Sequence, residues 1–172
     1  MNIRKALLAE HSKRQTLRIV SYIGSDSKRF AKLMEAFFSN EYRVTQRAAW
    51  VLTWTAKNDL QLFKPWIGKM IRNLRAEGIH DSVKRNTLRV LCDIQIPERL
   101  QGDIAHACFD LLHACNEPIA VKVFAMTILT NLCKQHPGMS PEVRLEIEDR
   151  MRSGSAAIRS RGKKLLARLE NT

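Results

Sequence analysis

Five stretches of this chain superimpose at offsets of 32, 39, 38 and 37 residues, and their apolar positions then coincide. One row of the overlay reads Ile19, Val51, Val90, Ile128 and Leu165; the next reads Val20, Leu52, Leu91, Leu129 and Leu166. A third row holds Ile23, Thr55, Ile94, Leu132 and Leu169, and a row of small residues precedes them all: Thr16, Ala48, Thr87, Ala125 and Gly162. A unit of this length cannot bury its apolar face alone and does so by stacking on its neighbours. The overlay therefore predicts stacked helical pairs rather than a closed globule. Function should then lie on a surface.

The overlaid stretches read as the second helix of each pair. Between them lie equally amphipathic segments that read as first helices: residues 28–38, 59–75, 98–113 and 142–151, with a shorter opening helix over 3–9. Turn and cap residues fall between them, among them Gly24-Ser25-Asp26, Gly78-Ile79-His80-Asp81 and His136-Pro137-Gly138. Ser140-Pro141-Glu142 reads as a helix start, with Ser140 as the cap. Pro65 falls inside an apolar-periodic segment and should kink that helix or open its main body. No segment alternates with the period of two that a half-buried strand requires. The expected fold is all-α: a right-handed α-α superhelix of about five helical pairs, forming one domain over residues 1–172. The approximate pairs are 1–25, 26–58, 59–97, 98–136 and 137–172.

Charge adds a direction to that architecture. The chain carries 29 Lys and Arg against 17 Asp and Glu, a net +12, which favours association with polyanions. By segment the excess lies towards both ends, with a near-neutral middle. No apolar run approaches the roughly 18–20 residues that span a bilayer, and the basic start Met1-Asn2-Ile3-Arg4-Lys5 lacks the apolar core of a secretory signal. A cytoplasmic protein with no membrane partner is expected. Cys92, Cys108, Cys115 and Cys133 all fall in helix-like segments without a Cys-x-x-Cys pair, so they read as buried free thiols.

Tyr42-Arg43-Val44-Thr45-Gln46-Arg47-Ala48-Ala49-Trp50-Val51-Leu52 and Glu117-Pro118-Ile119-Ala120-Val121-Lys122 resemble the second helix of HEAT repeats. An acidic or Pro turn is followed by Val, a basic residue, Ala and paired aliphatics. The resemblance covers nearly the whole chain as about five pairs, and the whole is similar to small bacterial HEAT-like proteins. It implies an α-solenoid that works as a binding scaffold; such repeats specify fold well and ligand poorly.

In such a solenoid the second helices line a concave side. Residues three or four places from the core rows form ladders there: Gln15, Arg47, Asn86, Phe124, Arg161; then Arg18, Trp50, Arg89, Thr127, Lys164; then Tyr22, Trp54, Asp93, Asn131, Arg168. Trp50 and Trp54, at i and i+4, stand one above the other. With Tyr22 and the guanidinium groups of Arg18, Arg47 and Arg89 they suit a protein or peptide groove, since Trp, Tyr and Arg dominate binding hot spots. They also suit nucleic acid, through stacking and phosphate contact by the same arginines with Arg161, Lys164 and Arg168. One or both Trp residues packed as core is the plain alternative. The protein or peptide reading stands first and nucleic acid second. A third is a HEAT-like alkylpurine DNA glycosylase, to whose cleft helix Gln46-Arg47-Ala48-Ala49-Trp50 is similar. Those enzymes place an acid one turn after the Trp, where this chain has Trp54; Asp93 is the nearest ladder carboxylate.

No other constellation points to catalysis, so a non-enzymatic module without cofactor or metal is expected. His106-Ala107-Cys108 and His113-Ala114-Cys115 diverge by about 200° on a helix, unlike the i, i+4 pairs of zinc sites. Both cysteines should face the apolar side. Asp103, Asp110, Glu142, Glu146, Glu148 and Asp149 occupy first helices and read as a solvated face. The run Arg159, Arg161, Lys163, Lys164, Arg168 reads as a polar capping helix with an anion-contact edge.

Overall fold

A computed structural model of the chain describes residues 1–171, and all the regular secondary structure among them is helical. The chain divides into two compact units, Met1–Val90 and Leu91–Thr172. Each is built by the same local rules.

The first unit holds α1 (Ile3–Ala9), α2 (Lys13–Ile23), α3 (Ser27–Phe37), α4 (Tyr42–Asn58), a 3₁₀ turn (Gln61–Trp66), α5 (Ile67–Leu74) and all but the last residue of α6 (Asp81–Leu91). Side chains close three of the helix starts. Asn2 accepts from the Lys5 N–H, Ser12 from Gln15, and Asp26 from both Lys28 and Arg29. Such caps satisfy amide groups that have no intrahelical partner and are worth about 1 kcal/mol each where they replace Ala. Gly24 ends α2 at φ +50, a conformation that costs a residue without a Cβ little. Pro65 behaves as its missing N–H requires: the segment before it tightens into the 3₁₀ turn and the helix proper opens at Ile67. α4 packs against α1, α2 and α3. Phe30, Leu33, Met34, Phe37 and Phe63 are fully buried, and the rings of Phe30 and Phe63 meet at 4.8 Å and 63°.

α1 is only seven residues long, too short to satisfy its own terminal carbonyls. Two longer-range donors do it instead. The Gln15 side-chain amide donates to the Ala6 carbonyl at 2.8 Å, and the Arg47 guanidinium donates to the Leu7 carbonyl at 2.7 Å.

The second unit holds α7 (Glu98–His113), α8 (Ile119–Cys133), a 3₁₀ turn (Pro137–Met139), α9 (Ser140–Ser153) and α10 (Ala156–Leu169). α8 packs on α7, α9 and α10, and its buried residues run round the helix from Val121 to Cys133. α9 and α10 approach closely at Gly162. A Cβ there would lie 2.3 Å from the Met151 sulfur and 3.3 Å from Ile147 Cγ2.

The repeat rows are the core. Ile19, Val51, Val90, Ile128 and Leu165 are all buried, as are Thr16, Ala48, Thr87, Ala125 and Gly162. Two row members depart: Ile94, in the turn region after α6, and Leu166, near the end of α10, are half-buried. Other sequence expectations need correction. Ser140 does not cap α9; it is that helix's first residue, because the 3₁₀ turn runs straight into α9. Cys108 and Cys133 are buried free thiols, but Cys92 is half-buried in the turn after α6, and Cys115 is exposed in the turn after α7. α7 stops at His113, so Cys115 never reaches the apolar face with Cys108. Glu146 is not part of a solvated face. Its side chain is 14% exposed and accepts from Arg150 Nε at 2.8 Å, with His113 Nε2 at 3.1 Å, so it ties α9 to α7.

Candidate functional site

The two units differ most in charge. Met1–Val90 holds 18 Lys and Arg against 7 Asp and Glu, a net +11; the remaining residues hold 11 against 10, a net +1. Nearly the whole excess of the chain therefore belongs to the unit that carries all three tryptophans. Four of its seven acids, Glu10, Asp26, Glu35 and Glu41, pair with Arg14, Arg29, Lys32 and Arg4. Seven acids cannot neutralise eighteen cations, whatever the pairing.

Within that unit, α4 and α6 with the α1–α2 connection form a cleft of about 310 Å³, lined by His11, Gln46, Trp50, Ser82, Arg85 and Asn86. Gln46 and Trp50 lie one turn apart on α4, and Ser82 and Asn86 lie one turn apart on α6. The Trp50 indole meets the His11 ring edge to face, with centroids 5.2 Å apart and planes at 88°. Asn86 is 6% exposed; one end of its amide is 3.2 Å from the Thr53 hydroxyl, which shares its proton with the Ala49 carbonyl at the same distance, and the other end makes no hydrogen bond among the described residues. Ser82 is buried and its hydroxyl lies 2.7 Å from His80 Nδ1. Gln46 and Arg85 make no hydrogen bond or ion pair among the described residues, and no carboxylate lines the cleft. This is an aromatic wall with two carboxamides and an unspent guanidinium.

The other residues singled out in the sequence are not among those that line this cleft. Trp54 is half-buried, with the ammonium groups of Lys57 and Lys13 at 4.4 and 5.2 Å from its ring centroid. Tyr22 faces another groove, of about 560 Å³, shared with α1 and α3; the Arg29 guanidinium stacks on its ring at 4.4 Å and donates to its carbonyl at 2.7 Å. Arg47 is spent on α1. Arg18 and Arg89 are exposed.

In the second unit, Asn131 donates to the Cys92 carbonyl at 3.1 Å, so it too is a tether. Asp93 is exposed, and its charge adds to the burial that pushes the Cys92 thiol up to about 12; nearby Arg161, half-buried, opposes that rise. Lys164 and Arg168 are exposed on α10. His106 pairs with Asp110 at 3.5 Å along α7.

Four of the six cleft residues, His11, Gln46, Ser82 and Arg85, lie outside the ladders, and so do Lys13 and Lys57 beside Trp54. The overlay aligns equivalent positions, whereas neighbouring helices meet through non-equivalent ones. The usable signals were Gln46 one turn before Trp50, and Ser82 one turn before Asn86. The first ladder is also less of a surface than its polarity suggests: Gln15 and Asn86 are buried, and Arg47, Phe124 and Arg161 are half-buried. Positions bordering an apolar stripe are close enough to the preceding helix to hydrogen-bond it.

A model of the HEAT repeat domain matches residues 3–169. No curated protein and no solved structure matches the chain. Among the described residues no helix is long and apolar enough to cross a membrane.

Proposed function

The chain belongs to the HEAT-repeat family, and on that footing we propose that it is a non-enzymatic binding scaffold whose Met1–Val90 unit takes nucleic acid. The observation that carries this reading is the net +11 of that unit against +1 for the rest, in the same unit as the Trp50 cleft. Cations that outnumber acids by eleven in 90 residues attract phosphates and gain by releasing condensed counterions. Arg18, Arg85 and Arg89 are exposed and make no ion pair among the described residues, so they are available for phosphate. Sequence alone put protein or peptide first; the charge distribution reverses that order. No carboxylate lines the cleft, and we assign it no catalysis.

An acidic protein segment is the second reading. It is favoured by Leu8 and Leu17, which expose 42% and 40% of their surface in the same basic unit and would bury against a polypeptide.

Fluorescence anisotropy with a labelled single-stranded oligonucleotide separates the two. The expected result is binding at about 50 mM salt that weakens by at least tenfold at about 200 mM. The double variant Arg18→Glu/Arg89→Glu should lose about tenfold in affinity at low salt, because each reversed charge removes a phosphate contact. Lys163→Glu/Lys164→Glu, in the second unit, should lose less than about threefold. No binding at about 50 mM salt, or equal losses from the two pairs, would defeat the reading.

A further inference from the structure

We propose that the Trp50 cleft is a subsite for one unpaired nucleobase, so that the chain prefers single-stranded nucleic acid with its bases to the bare sugar-phosphate backbone. This rests on the nucleic-acid reading above and specifies what the first unit recognises beyond charge. Three observations lead to it. The cleft, at about 310 Å³, is at the small end of ligand pockets, which run about 300–1,000 Å³, and so takes a single ring system rather than an extended segment. Its wall is the indole of Trp50, and every base has a π-face that stacks on such a ring with little regard to sequence. Its polar groups are carboxamides as well as a cation. Gln46 makes no hydrogen bond among the described residues, and Asn86 is held at one end of its amide by Thr53, which leaves the other end open to the cleft. Asn and Gln match the edges of bases because they donate and accept at once.

The alternative occupant of a basic cleft is a carboxylate side chain of an acidic peptide. It would use Arg85 and the amide donors, but it has no ring to set against Trp50 and nothing to donate to the Gln46 carbonyl. A nucleotide uses all of them, with the base between Trp50 and the two carboxamides and the adjoining phosphate at Arg85. Trp54, one turn further along α4, does not line the cleft and has Lys13 and Lys57 over its ring, so the assignment falls on Trp50.

The test compares oligothymidylate with an abasic oligomer of the same length and charge, by anisotropy on the full chain at low salt. Wild type should bind the base-bearing strand about tenfold more tightly, the contribution of one stacked base. Trp50→Ala should erase that preference while leaving affinity for the abasic strand unchanged; Trp50→Phe should keep most of it. Gln46→Leu, which preserves bulk and breaks no bond within the protein, should reduce the preference without changing thermal stability. Equal binding of both strands by wild type would overturn the subsite and leave the charge-based reading standing. Binding of neither strand would remove both. A Trp50→Ala variant that loses affinity for the two strands in equal measure, with a lowered unfolding midpoint, would make Trp50 a packing residue and overturn the subsite.

Discussion

The two units are written in the same repeat rows and put the positions beside those rows to different use. In Met1–Val90 the places next to the core carry Trp50, Trp54, Arg18 and Arg89, and the unit is left with a large positive excess. In Leu91–Thr172 the corresponding places on α8 are Thr127, which is buried, and Asn131, which is tied to the Cys92 carbonyl. Two of the three cations on α9 are matched locally: Arg150 meets Glu146 and Asp149, and Arg144 lies 3.9 Å from Glu148 and 3.6 Å from Glu170. The rows therefore specify how helices stack, and the repeats differ from one another in the positions outside them.

If the rows are equivalent, truncating them should cost the same in either unit. Leu52 and Leu129, of one row, are each 1% exposed. Leu52→Ala and Leu129→Ala should each destabilise by about 3 kcal/mol through lost transfer energy and the cavity left behind. Urea unfolding at fixed ionic strength checks this; a cost below about 1 kcal/mol for either would break the equivalence. A smaller effect tests the row of small residues, where Ala48 of the first unit and Gly162 of the second differ by one methyl group. Ala48 fits on α4 with no exposure, whereas Gly162 on α10 faces Met151 and Ile147. Gly162→Ala should cost about 1–3 kcal/mol despite the better helix propensity of Ala, because Met151 must shift to admit the methyl group. A stabilised variant would mean that α9 has room to move.

Much of the stacking was legible in the sequence because buried apolar spacing follows directly from helix geometry. The helix over 98–113 and the opening helix over 3–9 run over the expected residues, and the second helices bury the expected rows. Departures occur where a local rule meets a tertiary one. Ile94 follows the last turn of α6, where the repeat's helix has already ended, and Ser140 is drawn into α9 because the 3₁₀ turn before it runs on without a break. The candidate cleft was half legible. Trp50 and Asn86 stood in the ladders, but His11, Ser82 and Arg85 join them through the offset between neighbouring helices, which no alignment of equivalent positions displays. Polarity also misled: Gln15, Arg47 and Asn131 look like recognition residues and are bonded to helix-end carbonyls.

Trp54 sharpens the contrast between a packing aromatic and a recognition aromatic. It is half-buried and covered by two lysines on its own unit. Trp54→Ala should cost about 1–2 kcal/mol, the sum of partial burial and two exposed cation–π contacts. A cost of about 3–5 kcal/mol would assign it wholly to the core. A cost near zero would free its ring for a ligand and weaken the distinction from Trp50.

The smallest effect concerns the helix caps, where the first unit uses a titratable group and the second does not. Asp26 caps α3 by accepting from the amides of Arg29 and Lys28 at 3.0 and 2.9 Å. The bond from Arg29 is the main cause that holds its carboxyl below the ordinary value of 3.8. A folded-state value below the unfolded one means that the group stabilises the fold above the unfolded value, and that this stabilisation disappears as pH falls through the folded value. Ser155, which caps α10 through its hydroxyl at 3.4 Å, has no proton to take up in that range. Asp26→Asn keeps the acceptor and removes the charge, so its urea midpoint should fall less steeply than that of wild type between about pH 5 and pH 2. Ser155→Asp should fall more steeply than wild type by a similar small amount, which would carry the acid sensitivity of one unit into the other. Parallel curves for wild type and Asp26→Asn would show that the cap at α3 contributes through its geometry alone.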